Sequence, residues 1–318
     1  MFFWTVGLIG NIIYLRAEGR SLVSIFTFGM AGDLLEKSNI PIDFIGMFGF
    51  FMPAALLYIN EYSKNIILKI ILFTVTLILF INRGFRFVII ILLVAPIIAY
   101  YLKKRREPKF RVMVIVLTCL LFMISIIRNT RNNIRASNLS EEVSITKYLG
   151  IEAIDEALYD NFSMYKPFYI ITEKVPNIVG YTYGSKTFVN PILMLVPRAI
   201  WKDKKFLYED IDSKIFKKEV LTAGSAYPNI AEYYLEYGIL GVILGMLILG
   251  LFTGYSTKWL VNRNKNYKNI VFYSIFIPLT MQIIIRGYMA SNFNLILFTY
   301  LPAVLIAKSD KCIERKHS

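Results

Sequence analysis

The residues best equipped for chemistry in this chain are arginines. Pro197-Arg198-x-x-Trp201 lies in a long polar segment, with Lys202, Lys204 and Lys205 directly behind it. Pro197 fixes its own φ and restricts Val196, which stiffens the backbone from which Arg198 projects. Trp201, three residues on, offers an aromatic plane that either stacks on a sugar ring or anchors at a membrane interface. Tyr183 offers a second ring for the same sugar path. Arg83, Arg86, Arg128, Arg131, Arg135 and Arg286 sit at the ends of apolar runs. Taken singly, each is explained by snorkelling to a lipid phosphate or by pairing with a loop carboxylate. Taken together, they point to a poly-anionic lipid substrate, because guanidinium groups bind phosphate oxygens in pairs. A lipid-linked pyrophosphate fits, since its departing charge needs neutralising. Arg198 and Arg286 are therefore expected to be catalytic. Arg83, Arg86, Arg128, Arg131, Trp201 and Tyr183 are expected to bind substrate.

Glu232 and Glu236 stand at the start of the next apolar run, where a carboxylate favours the helix dipole, and capping alone accounts for both. Glu232 is, by position, the choice for a base that takes the proton from an acceptor hydroxyl. Other chemistries find little support. Asp210-Ile211-Asp212 spells the metal-holding triplet of nucleotide-sugar enzymes, but in a segment whose charge pattern places it outside the cell. The sole histidine, His317, is in the carboxy-terminal tail, so histidine zinc sites and Ser-His triads are unavailable in the polar segment. No phosphate-cradling GxxxxGKS/T loop occurs. Neither a metal nor a cofactor is expected.

The elements that position these groups are membrane helices. Fifty-six per cent of the 318 residues are apolar, and uninterrupted apolar runs near bilayer length recur along the chain. The runs do not alternate, which excludes a barrel, and lipid then leaves only helices that satisfy their own backbone. The net charge of +14 is confined largely to short clusters: Lys103 to Arg111, Lys258 to Lys268, and Lys308 to Lys316. That is a topology signal and not a nucleic-acid footprint. Two cysteines, Cys119 and Cys312, provide no disulfide framework for the polar segment.

Spans are expected over residues 44–60, 66–81, 87–102, 112–127, 234–255, 270–285 and 295–307, with a short first helix over 1–15 diluted by Asn11. Residues 16–43 are mixed and could hold a re-entrant helix over 22–35. Placing all three basic clusters in the cytoplasm is self-consistent and puts 128–232 outside. The expected fold is an all-α polytopic membrane protein of about eight transmembrane helices. Its expected divisions are amino-terminal helices over 1–127, one large extracytoplasmic loop over 128–232, and carboxy-terminal helices with a basic tail over 233–318.

Four stretches carry a family resemblance. LMLVPRAIWKDKKF resembles the proline-arginine-x-x-tryptophan loop of Wzy-type oligosaccharide repeat-unit polymerases, in which a lysine follows a few residues later. GSAYPNIAEYYLEYGILGVILG resembles their next segment, a glutamate leading into a helix with an aromatic-glycine-x-x-glycine pattern. NRGFRFVIIILL and IIIRGYMASNFNLIL are similar to two shorter features, each an Arg-Gly at a helix end. The likeness covers residues 82–301. The chain is short for that family, and the paired Arg-x10-Gly loops of some members are not found.

The resemblance implies a multi-pass enzyme of the bacterial plasma membrane, similar in architecture to the GT-C-like glycosyltransferases that use polyprenyl-phosphate donors. It implies transfer of a growing glycan from undecaprenyl pyrophosphate onto a lipid-linked repeat unit, without metal, for O-antigen, capsule or exopolysaccharide. Arg198 and Lys204 occupy the motif positions, with Lys204 binding substrate, and Arg83 and Arg286 occupy the Arg-Gly positions. Membrane lipids, a flippase and a chain-length regulator are the implied partners. Three alternatives stay open: a ligase sharing the pyrophosphate site, a transporter of the lipid-linked glycan, and a non-catalytic scaffold. The transporter reading predicts charges or broken helices at mid-membrane.

Overall fold

The computed structural model describes residues 1–17, 25, 43–116, 118, 165–196, 200–201, 215, 227–262 and 266–314. All regular elements among them are helical. Six helices are long and apolar enough to cross a membrane: Phe44–Tyr62, Ile66–Arg83, Phe87–Lys104, Asn229–Leu260, Tyr267–Ile285 and Met289–Lys308. The all-α, polytopic expectation is thus met. The span expected over 112–127 is helical over 110–116 and at Thr118, and the rest of it, like the re-entrant helix expected over 22–35 apart from Ile25, lies outside the described residues. The chain divides into two compact units. One comprises Met1–Tyr159, Lys265–Pro278 and Phe298–Ser318, the other Asp160–Asn264 and Leu279–Leu297.

In the first unit, α1 (Phe2–Ala17) packs on α2 (Asp43–Met47), on a 3-10 turn (Phe48–Phe50) and on α3 (Phe51–Tyr62). A hairpin of α4 (Ile66–Arg83) and α5 (Arg86–Lys104) completes the set. The start of α4 is set by Asn65, whose side chain accepts from the Ile67 and Leu68 amides at 3.0 and 3.2 Å, satisfying two donors that the first helical turn leaves open. Its end is set by Gly84 at φ 70°, where the Gly84 amide donates to Ile81 and the Phe85 amide to Phe80. This left-handed cap is the physical reason for the first Arg-Gly pair.

Arg83, the last residue of α4, turns its guanidinium into this unit. Its Nη1 donates to Asn11 Oδ1 and to the Gly46 carbonyl, both at 2.7 Å, and the group lies over the rings of Tyr14 at 4.2 Å and Phe85 at 4.7 Å. Asn11, the residue that dilutes the first apolar run, is fully buried as a partner of this cation. The amino-terminal helix is therefore tied to α2 and α4 by a charge-assisted contact. Arg83→Met is expected to cost about 1.5–3 kcal/mol, read as a lower unfolding temperature of the detergent-solubilised protein. A variant that melts like wild type would show that this contact adds no stability.

The second unit contains α6 (Tyr165–Lys174), a π-helical turn (Ser185–Val189), α7 (Asn190–Leu195) and α8 (Asn229–Asn262). It also takes residues 279–297 of α9 (Tyr267–Ile285) and α10 (Met289–Glu314). Its apolar core joins Ile171, Val175 and Val179 to Tyr227, Ala231 and Leu235. From Ile239 to Tyr255, α8 exposes Ile239, Leu240, Ile243, Leu244, Leu247, Ile248 and Leu251, an uncovered apolar surface suited to lipid.

Candidate active site

The site is built on a break in α8. Tyr237 has φ −143° and ψ 21°, and Gly238 has φ 65° and ψ −146°, a combination open essentially only to glycine. A Cβ on Gly238 would also lie 2.8 Å from the Tyr181 hydroxyl. The break folds the short arm back beside the long one, so that Gly241 lies against the Tyr233 carbonyl and Gly245 against the Tyr233 ring. The repeated glycines of this segment thus serve close packing within one broken helix.

Interrupting the helix frees backbone acceptors, and the loop at 182–187 takes them. The Thr182 amide donates to the Leu235 carbonyl at 3.0 Å and the Tyr183 amide to that of Glu236 at 3.2 Å. The buried Glu236 carboxylate completes the seat. One oxygen accepts from the Thr182 hydroxyl at 2.6 Å and from the Gly184 amide, the other from the Thr187 amide at 2.7 Å and hydroxyl at 2.9 Å. Four donors on one carboxylate hold a backbone that has little intrinsic preference for its shape. Tyr183 sits at φ 45°, Gly184 at φ 86°, and a π-turn follows. Strained, over-determined conformations of this kind concentrate at functional sites.

On this loop two side chains go opposite ways. Tyr183 is 69% exposed, its ring edge-on to Tyr181 and Tyr237 at centroid distances of 6.1 and 5.9 Å. Lys186 is 2% exposed, and its ammonium donates to the Tyr227 hydroxyl at 2.6 Å while lying 5.1 Å from the centre of that ring.

A second fixed segment is the bridge between α9 and α10, which carries Arg286. The Arg286 amide donates to Gln282 and its carbonyl accepts from the Asn292 side chain at 2.6 Å. The Gln282 side chain donates in turn to Asn292 at 3.3 Å. The Gly287 amide donates to the Tyr227 carbonyl at 2.8 Å. A Cβ on Gly287 would lie 2.8 Å from both the Asn229 Cα and the Pro228 carbonyl, so this Arg-Gly pair needs its glycine for backbone contact, unlike the cap at Gly84. Glu232, 1% exposed, receives the Met289 amide on both carboxylate oxygens at 3.1 and 3.2 Å. Sequence alone read Glu232 as a cap of its own helix or as a base. Here it caps α10, satisfying a first-turn donor and placing negative charge at the positive end of the helix. Tyr288, the half-buried residue before Met289, has its phenol pushed up by burial.

Of the sequence-derived site residues, Arg286 lies on the bridge between α9 and α10, Glu232 receives the Met289 amide at the end of that bridge, and Tyr183 lies on the loop that Glu236 seats. Trp201 is exposed. Arg83 makes the first-unit contacts described above, and Arg86 opens α5 with only its backbone described. Arg128, Arg131, Arg198 and Lys204 lie outside the described residues. Sequence reasoning passed over Lys186, Tyr227, Gln282 and Asn292. A local signal existed only for Gln282, a polar residue inside an apolar run of the kind membrane segments rarely hold without purpose, whereas Lys186, Tyr227 and Asn292 stand among other polar residues. No group of histidine, cysteine or carboxylate side chains suited to a metal occurs among the described residues.

Comparison with known families finds one whole-chain match: the family model described as O-antigen polysaccharide polymerase Wzy covers residues 1–315. No curated protein and no solved structure matches the chain.

Proposed function

Because the chain belongs to the O-antigen polysaccharide polymerase Wzy family, we propose that it joins undecaprenyl-pyrophosphate-linked oligosaccharide repeat units at the outer face of the bacterial plasma membrane. The acceptor hydroxyl attacks the anomeric carbon of the donor glycan. A C–O bond forms there, the bond to the pyrophosphate oxygen breaks, and the lipid pyrophosphate departs with the electron pair. Arg198 and Arg286 neutralise the departing charge, assisted by Arg86, Arg128, Arg131 and Lys204. Glu232, oriented by the Met289 amide, takes the hydroxyl proton. Tyr183 and Trp201 line the sugar path, and Tyr237, edge-on to Tyr183, extends it. No metal takes part.

The observation that carries this reading is the clamped bridge at Arg286, whose backbone is held on both sides by groups from Gln282, Asn292 and Tyr227. A backbone held in this way restricts the cation it carries, and a restricted cation reorganises little as charge develops. The break in α8 is a feature that a transporter would also show. Its position favours an interfacial enzyme. The arm from Ile239 to Asn262 rises about 36 Å at 1.5 Å per residue, enough by itself to cross a hydrocarbon layer of about 30 Å. Glu232 and Glu236 then lie at a membrane edge.

The test is a gel of surface polysaccharide from cells lacking the gene, complemented with wild type or Arg198→Ala. A single short band in the null, returned to a ladder only by wild type, is expected. A ladder from Arg198→Ala at normal intensity would remove Arg198 from the mechanism. Complete transfer of single units to a new carrier would indicate a ligase, and loss of lipid-linked material from the outer face a transporter.

A further inference from the structure

Two buried polar side chains have no part in the scheme above, and they touch each other. Lys186 and Tyr227 are 2% and 7% exposed, and the ammonium donates to the phenolic oxygen at 2.6 Å. A buried lysine is costly to keep, and a hydrogen bond from a charged donor is stronger than one between neutral groups. What surrounds the pair shows what that contact organises. On one side, Lys186 lies on the π-turn that Glu236 seats through Gly184 and Thr187. On the other, the Tyr227 carbonyl receives the Gly287 amide at 2.8 Å. Gly287 has no room for a Cβ against Pro228 and Asn229, so a displacement of the turn at 227–229 is passed to the residue next to Arg286. The phenol anchors the side chain of the same residue whose carbonyl holds the bridge.

We infer that Lys186 is a positioning residue for Arg286, acting through the Tyr227 hydroxyl on the backbone that carries the guanidinium. The inference rests on the catalytic reading of Arg286 given above. Lys186 does not meet the pyrophosphate in this scheme. It fixes the loop–turn–bridge chain in one register, so its loss weakens transition-state stabilisation more than ground-state binding.

The test compares Lys186→Met, Lys186→Arg, Tyr227→Phe and the Lys186→Met/Tyr227→Phe double variant in the full-length protein, using lipid-linked repeat units extracted from the host. Lys186→Met is expected to lower kcat about 10- to 100-fold with KM little changed, and Lys186→Arg to recover most of that loss. Tyr227→Phe keeps the ring and the backbone carbonyl but removes the acceptor, so it should match Lys186→Met, and the double variant should be no worse than either. Wild-type kcat in Lys186→Met, or losses that multiply in the double variant, would overturn the inference. Should Lys186→Met fold poorly, Tyr227→Phe carries the same prediction. Amide hydrogen exchange over residues 280–292 separates this idea from the reading it rests on. Faster exchange at Gly287 in either single variant supports the positioning chain even if Arg286→Ala proves fully active, and unchanged exchange refutes it.

Discussion

Arg286→Ala is expected to collapse the polysaccharide ladder to single repeat units while leaving the protein folded. The size of the effect follows from the role proposed for it: removing one preorganised donor aimed at developing charge costs about 100- to 1,000-fold in rate. The expectation that folding survives comes from where its described hydrogen bonds are made. The Arg286 amide reaches Gln282 and its carbonyl is held by Asn292, and both are backbone contacts that alanine retains. A loss of polymer with an unchanged unfolding temperature would therefore report chemistry. Arg286→Lys keeps the charge but not the planar fork, and should fall between the two. A normal ladder from well-expressed Arg286→Ala would end the assignment.

The second large effect is expected at Glu236, and it is a stability effect. Glu236→Ala strands the Gly184 and Thr187 amides along with two threonine hydroxyls. The hydroxyls can rotate to other acceptors, whereas the two amides are fixed in the chain. At about 1–3 kcal/mol for each buried donor left open, the loss is a large share of a net stability of about 5–15 kcal/mol. Glu236→Gln is no remedy, because its NH2 would confront donors where an oxygen now accepts. Both variants should melt at lower temperature and become open to protease near residues 182–189, with activity lost because Tyr183 and Lys186 ride on that loop. Thr182→Val with Thr187→Val removes only hydroxyls and should do far less. Equal melting of Glu236→Ala and wild type would show that the loop is held by other means.

Much of this molecule was legible in the residues. The apolar runs named the class and located six of the expected spans, each within about six positions of a helix long and apolar enough to cross a membrane, because hydropathy is local and a helix in lipid needs only its own backbone. The proline-arginine-x-x-tryptophan stretch and the two Arg-Gly pairs pointed to the family that the whole-chain match then established. Asn11 already stood out as a polar interruption, though nothing local revealed Arg83, seventy-two positions away, as its partner.

Partnerships of that kind were decided only by tertiary structure. Glu232 and Glu236 look alike in the sequence, four residues apart at a helix start. One meets Met289 and the other the loop at Thr182 to Thr187. The two glycines of the Arg-Gly pairs also look alike, yet Gly84 is needed for its left-handed φ and Gly287 for the backbone it touches. Gly238 reads as the first glycine of an aromatic-glycine-x-x-glycine pattern in a helix, and it breaks that helix. The sequence by itself determined which segments are long and apolar enough to cross a membrane and which residue types gather at their ends, because hydropathy and charge act over a few neighbours. Which buried polar group answers which was left to the tertiary fold, because a hydrogen bond is set by distances in space that no local pattern records.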